Sequence, residues 1–482
     1  MRSLLDETRI AFGGVKDFAR SFATPNLRLG VTGLSRSGKT VFITALVHAL
    51  LHGGRLPLFS TYAAGRIVRA YLEPQPDDDL PRFAYENHLA ALTGEDRRWP
   101  ESTRRLSQLR LTVEYMGSGL FSRDGVARQL AIDIIDYPGE WLLDLPLMNL
   151  TYEEWSAATL AASRRPPRLQ LAAAWHGHLA NLEPEARRDE QEARRAAELF
   201  TSYLERCRAD GVSLSTLPPG RFLMPGDLAG SPLLTFAPLD LPADRSAHRG
   251  SLWALMARRY DSYVANVVKP FFLDHFARLD RQIVLVDVLS ALNAGAEAVL
   301  DLRLALTGVL ECFRLGSKSW ASMVLGRRID RILFAATKAD LLHHDSHRQL
   351  ETIFRAIVSD AVSRAEFSGA RIDVTPLAAI RATREATVRR RGDALPCIAG
   401  VPEAGESIGH EAFDGRTEAA IFPGDLPDSP EAAIDGALEG KVRFARFRPP
   451  LVEAASSIVP AGSFPHMHLD RVMEFLFGDR LR

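Results

Sequence analysis

The sequence predicts an α/β fold built on a β-sheet with helices on both faces. Three observations carry that expectation. A short apolar run, Asn26–Val31, leads through a Gly-rich turn into a helix beginning near Lys39. Two further runs, Gln282–Val288 (QIVLVDV) and Ile329–Ala336 (IDRILFAA), are almost continuously apolar, as buried parallel strands are. Helical patterns at Ala296–Leu315 and Arg348–Phe367 alternate with these strands.

The remaining elements follow in chain order. Leu4, Leu5, Phe12, Val15, Phe18 and Phe22 fall near helical spacing and predict an amphipathic N-terminal helix, docked on the protein's own body or lying on a membrane surface. Gln108–Tyr115 and Ala127–Ile135 flank a turn-rich connection and read as a hairpin. Ile372–Pro376 is the candidate last strand, and an amphipathic helix follows from about His466. Two segments break the rhythm. Leu51–Trp99 separates the first helix from the hairpin, and Leu150–Asp280 carries helical stretches near Leu182–Ala209 and Leu252–Leu279 around a Pro/Gly-rich passage. The expected division is therefore an N-terminal helix (1–24), a core (25–50, 100–149 and 281–390), a first insertion (51–99), a second, largely helical insertion (150–280) and a C-terminal extension (391–482). That extension is loop-rich, with a short strand expected at the alternating run Val442–Arg448.

Composition narrows the function classes. At 482 residues the chain suggests two or three domains, and a net charge of −1 gives no general attraction to nucleic acid or acidic lipid. Cys207, Cys312 and Cys397 are far apart and form no CxxC pair, which points to a reducing cytosol. No apolar run is long enough to cross a bilayer, and charges interrupt any signal-like core near the N-terminus. Lysine occurs only six times against 53 arginines, so a retained lysine invites a chemical question.

Two of those lysines lie in motifs. Gly33–Thr40, GLSRSGKT, satisfies G-x-x-x-x-G-K-[ST] between a strand and a helix. The backbone N–H groups of Gly33, Ser35, Arg36, Ser37, Gly38, Lys39, Thr40 and Val41 can encircle a phosphate chain there, with the helix N-terminus adding favourable potential. Lys39 supplies a mobile charge to the β/γ-phosphates and Thr40 a hydroxyl to Mg²⁺. Asp136–Gly139, DYPG, closes an apolar strand; its carboxylate suits a phosphate-bound Mg²⁺ and its Gly139 N–H can sense a γ-phosphate. Thr337–Asp340, TKAD, follows another strand. The Asp340 carboxylate can accept both guanine N1–H and N2–H, a pair adenine lacks, while Lys338 lays its stem along the base. Capping of a helix by Thr337 or Asp340 is the alternative. His343, His344, Asp345 and His347 form a further cluster, but consecutive histidines on a loop are expected to diverge.

These three motifs in this order resemble the GTPase branch of P-loop proteins, the Ras and Gα type. The resemblance implies guanine selection by TKAD and a loop at Pro376–Thr383 whose backbone, at Ala379 and Ile380, touches the base oxygen. It also implies an Mg²⁺-completing threonine before the second strand, for which Thr103 is preferred over Ser102. Arg97, Arg98, Arg104 or Arg105 could supply an arginine in cis, or all could be solvated. Where Ras and Gα proteins carry Gln after D-x-x-G, this chain has Glu140, which could position water but implies slow hydrolysis. The fuller pattern, GLSRSGKT, VFITALVHALL, IDYPGEW, ATKAD and PLAAIRAT, is similar to the YcjX-like stress-associated nucleotide-binding proteins of bacteria. That likeness implies a cytoplasmic GTPase, GTP/GDP with Mg²⁺, and a membrane-associated protein partner that would bring the chain to the inner membrane. An ATP-using P-loop enzyme and a GDP/GTP-binding module without turnover are the rival readings; nucleic-acid binding has no basic, aromatic-interleaved patch to support it.

Overall fold

The computed structural model describes residues 25–33, 36–101, 105–117, 127–166, 168–209, 217–242, 246–311, 329–360, 362–363, 369–390, 393–452 and 462–482. The expected N-terminal helix, Ser35, Ser102, Thr103, Arg104 and Cys312 lie outside the described residues. In chain order the elements begin with β1 (Asn26–Gly33), α1 (Lys39–His52), β2 (Ile67–Glu73), α2 (Tyr85–Thr93), β3 (Ser107–Met116) and β4 (Ala127–Asp136). A 3₁₀ segment, Gly139–Asn149, then precedes α3 (Tyr152–Ser163), α4 (Glu190–Ala209) and α5 (Leu252–Tyr263). The chain continues through β5 (Arg281–Val286), α6 (Val288–Ala294), α7 (Ala296–Glu311), β6 (Arg331–Thr337), α8 (His347–Ile357) and β7 (Arg371–Leu377). It ends with β8 (Arg384–Arg390), β9 (Asp393–Gly400), β10 (Ser407–Ile408), β11 (Glu411–Ala412), β12 (Ala419–Ile421) and α9 (Leu469–Phe477).

Two compact units divide the chain, one from residues 1–137, 278–299 and 324–482, the other from 138–277 and 300–323. The first holds a seven-stranded sheet in the order β2-β3-β4-β1-β5-β6-β7. β4, β1, β5, β6 and β7 run parallel, and β3 is antiparallel to both of its neighbours. Leu27, Leu29 and Val31 of β1 are buried in one core with Phe42, Ile43, Leu46 and Val47 of α1. Leu469, Val472, Met473, Leu476 and Phe477 of α9 join that core at the i, i+3, i+4, i+7 spacing of a helix with one apolar face. The fully buried Arg281 at the start of β5 ties α9 down: it pairs with Asp330 at 3.0 Å and Asp479 at 2.6 Å and also donates to the Leu476 carbonyl. The C-terminal helix is thus part of the sheet's own core.

Two segments differ from expectation. Besides α2 and a short helix at Ser60–Ala63, the first insertion contributes β2, which extends the sheet at its edge beside β3. The alternating run Val442–Arg448 forms no strand; only an isolated bridge joins Phe447 to Pro402. The strands of the C-terminal region are instead β8, β9 and β12, an antiparallel three-stranded sheet beside the small β10–β11 hairpin. Period-two alternation does not by itself supply a partner strand, and beyond that bridge the run pairs with none of the described strands.

The second unit is helical and has an aromatic core. Trp155 stacks on Tyr260 at 5.2 Å and Trp175 on Tyr203 at 5.3 Å, with Phe200, Phe222, Phe236 and Tyr263 packed around them. Thr151 and Glu154 close the start of α3 as a capping box. No helix among the described residues is long and apolar enough to cross a membrane.

Candidate functional site

Parallel pairing collects the motifs at one edge of the first unit's sheet. Gly33 is level with Leu285 of β5, Leu285 with Ala335 of β6, and Thr337 with Leu377 of β7. On the other side Val31 is level with Asp136 at the end of β4. The C-terminal edge of such a sheet is where α/β folds place ligands.

The loop after β1 fits a phosphate chain. Gly38 has φ 83° and Arg36 φ 62°, so the backbone turns through left-handed conformations that Gly38 adopts without a side-chain clash. α1 starts with no side-chain cap and no acidic residue in its first turn, so the positive end of its dipole suits an anion. The Ser37 hydroxyl is buried with no hydrogen-bond partner among the described residues. Lys39 is buried and its Nζ donates to the Gly33 carbonyl at 2.9 Å, a contact across the loop. Thr40 Oγ1 donates to the Glu101 carbonyl at 3.5 Å, and half-buried Val41 follows in the helix. Asp136 is buried. Oxygen donors of the Thr40 and Asp136 type suit Mg²⁺, a hard cation.

Tyr137, inside DYPG, is a structural anchor that spacing alone did not mark. Its hydroxyl lies 2.6 Å from Thr32 Oγ1 and 3.3 Å from Gln282 Nε2, in a fully buried network that ties the end of β4 to β1 and β5. Burial pushes its phenol well above the usual range.

At TKAD, Lys338 takes φ 59° and starts a short 3₁₀ turn, Ala339–Leu341. Its ammonium pairs with Asp287, which follows β5 and caps α6. Asp287 was missed in the sequence, although a carboxylate at a strand's end is the same signal that marks Asp136. Asp340 is buried, and burial raises its carboxyl while the Ala382 N–H, 2.8 Å away, pulls it back. Thr383 Oγ1 also donates to the Asp340 carbonyl, so this residue joins the turn to the loop after β7. That loop is pinned by the paired backbones of Ala378 and Met467 and by Arg381 N–H on the Pro465 carbonyl at 2.7 Å. Ala379 and Ile380 lie between the pins, with the Ile380 side chain buried in the core. Thr337 donates to the Val286 carbonyl at 3.2 Å, so neither it nor Asp340 caps a helix through its side chain.

Gly139 and Glu140 open the second unit. The Glu140 carboxylate is buried and pairs with Arg208 of α4 at 3.1 Å. Four residues on, Asp144 is fully buried and accepts from Gly220 N–H at 2.6 Å, Arg221 N–H at 3.3 Å and the Tyr263 hydroxyl at 2.5 Å. Gly220 admits no side chain, since a Cβ there would sit 1.8 Å from the Glu140 carbonyl. Arg221 lies over the Trp141 ring at 3.2 Å. The stretch directly after DYPG is therefore held along its length by residues of the helical unit.

Burial pushes the Asp144 carboxyl up to about 6, although the Tyr263 and Gly220 donors pull it down. Its ordinary value is 3.8, so between those pH values the folded state holds the proton more tightly and stability falls as pH rises. The Asp144→Asn side chain does not titrate. In urea unfolding followed by Trp fluorescence, any stability advantage of the natural protein over this variant should shrink from pH 4 to pH 7 by no more than about 3 kcal/mol. A constant difference would show that folding leaves the Asp144 carboxyl at its ordinary value.

This topology, with a phosphate-type loop after β1, the DYPG turn after the adjacent β4 and the TKAD turn after β6, one strand beyond β5, defines a P-loop α/β fold of the GTPase type. The chain matches the family described as YcjX-like family, DUF463, over residues 27–481. It is 36% identical over 476 residues to the "Ras-like GTPase YcjX" of Escherichia coli (strain K12), covering 95% of this chain and 96% of the relative. A protein of the same name from Shewanella oneidensis is 34% identical over 483 residues, covering 95% of each chain. The protein belongs to the YcjX-like family.

Proposed function

We propose that this protein is a guanine-nucleotide switch that binds Mg²⁺ with GTP or GDP and hydrolyses GTP slowly to GDP and phosphate. The observation that carries this reading is Asp340, a buried carboxylate at the sheet's C-terminal edge, held by Ala382 N–H through one oxygen. In this reading the carboxylate accepts guanine N1–H and N2–H, with Thr337 and Lys338 shaping the turn and Ala379 or Ile380 offering N–H to the base oxygen. The loop Gly33–Val41 takes the phosphates, Lys39 supplying charge. Thr40, Asp136 and Thr103 are the proposed Mg²⁺ ligands, and the ion when bound would neutralise phosphate charge. The nucleotide core would comprise 25–50, 100–149 and 281–390.

Gly139 is the proposed γ-phosphate sensor and Glu140 the group that orients water. The ion pair with Arg208 favours a second reading, a GDP/GTP-binding module without useful turnover, because a Glu140 committed to Arg208 is withdrawn from water. In either reading the bonds from Gly220, Arg221 and Tyr263 fix Asp144, four residues after Glu140, and a membrane-associated protein is the proposed listener. Calorimetry with Mg²⁺, comparing GDP, GTP, ADP and ATP on one preparation, tests the proposal. Guanine preference supports it. Equal or tighter adenine binding would replace it with an ATP-using P-loop enzyme, and phosphate release over many turnovers separates the switch from the inert binder.

A further inference from the structure

We propose that His343, His344 and Asp345 bind a divalent transition-metal ion of the zinc class, with Glu385 orienting the His344 ring. Consecutive histidines were expected to diverge, but the local backbone brings them together. The 3₁₀ turn His344–Ser346 folds the Asp345 carboxylate back between the two rings. One carboxylate oxygen lies 3.0 Å from His343 Nδ1 and the other 3.2 Å from His344 Nε2, with the ring centroids 4.3 Å apart. A nitrogen of each imidazole and a carboxylate oxygen all lie within 4.8 Å of one another.

The second nitrogen of His344 carries the stronger argument. Its Nδ1 is 2.9 Å from Glu385 Oε2 on β8, so a neutral ring donates Nδ1–H to that carboxylate and presents the Nε2 lone pair to the cluster. A carboxylate behind a histidine is the usual support of a metal-bound imidazole, fixing its tautomer and raising its basicity. Glu385 is itself held by Arg381, 3.4 Å away. Two imidazoles and one carboxylate match the donor preferences of Zn²⁺, whose bonds of about 2.0–2.2 Å would place neighbouring donors about 3.3–3.5 Å apart. His343 Nδ1 accepts a long 3.5 Å bond from Asp345 N–H. The His344 and Asp345 side chains are 59% and 64% exposed, which leaves the remaining coordination positions to water. The site stands on residues separate from those assigned to nucleotide, so it does not depend on the proposed function.

The test is a calorimetric titration of the full-length, tag-free protein with Zn²⁺ in the absence of nucleotide. One equivalent should bind saturably. His344→Ala should abolish that binding, and Glu385→Ala, which leaves all three ligands in place, should weaken it about 10–100-fold. Equal thermal midpoints of the metal-free proteins will show that the variants fold. If a His343→Ala/His344→Ala double variant binds Zn²⁺ as the natural protein does, or the natural protein binds none, the site does not exist. An unchanged affinity in Glu385→Ala would remove the orienting role.

Discussion

Replacing Lys39 by alanine is expected to lower the affinity for Mg²⁺-nucleotide by roughly 30- to 5,000-fold, since losing one partner of a buried charge pair costs about 2–5 kcal/mol. The reasoning starts from the free loop. Lys39 is buried and donates across it to Gly33, so its ammonium stands beside the N–H groups that would face the phosphates. Bringing β/γ-phosphates into that loop sets their charge against this ammonium in a site partly shielded from water, where the attraction is least screened. The alanine variant loses that charge and leaves the backbone cradle. Folding should survive, because the apolar residues joining α1 to β1 are untouched. Calorimetry with GDP and GTP reads the effect, with circular dichroism as the folding control. Natural affinity in Lys39→Ala would remove the phosphate-loop assignment.

The second large effect concerns base choice. Asp340→Asn should weaken guanine nucleotides by roughly 100-fold, as each unsatisfied buried hydrogen-bonding group costs about 1–3 kcal/mol and two are mismatched. It should also create binding of xanthosine nucleotides. The asparagine carbonyl can keep the bond from Ala382 N–H, so the loop after β7 stays in place while the new NH₂ faces the base. Guanine meets that NH₂ with donors of its own; xanthine offers a C2 carbonyl, which accepts. A competition series of GTP, xanthosine triphosphate and ATP measures the switch. Loss of all binding together with the folded signal would mean that Asp340 serves the fold through Ala382 and Thr383. Unchanged base preference would deny it any reading of the base.

The two effects rest on different kinds of information. Lys39 was legible because the phosphate-loop signature is local: it lies within Gly33–Thr40, between an adjacent strand and helix. The same holds for the parallel strands, whose apolar runs declare burial on both faces, and for α9, whose Leu469, Val472, Met473, Leu476 and Phe477 repeat at helical spacing. Asp340 was legible as a candidate, but its partner Ala382, 42 residues away, was not.

By itself, then, the sequence determined the α/β class, the order of the motifs and the strand ends that carry them, because periodicity and turn chemistry act over a few residues. The tertiary structure alone decided that β2 extends the sheet, and that Val442–Arg448 alternates without forming a strand. It also decided that Tyr137 is locked to Thr32 and Gln282, and that Glu140 is committed to Arg208. Those pairings join residues far apart in the chain. Their partners are chosen by which surfaces the packed core brings together, and no spacing within either segment encodes that choice.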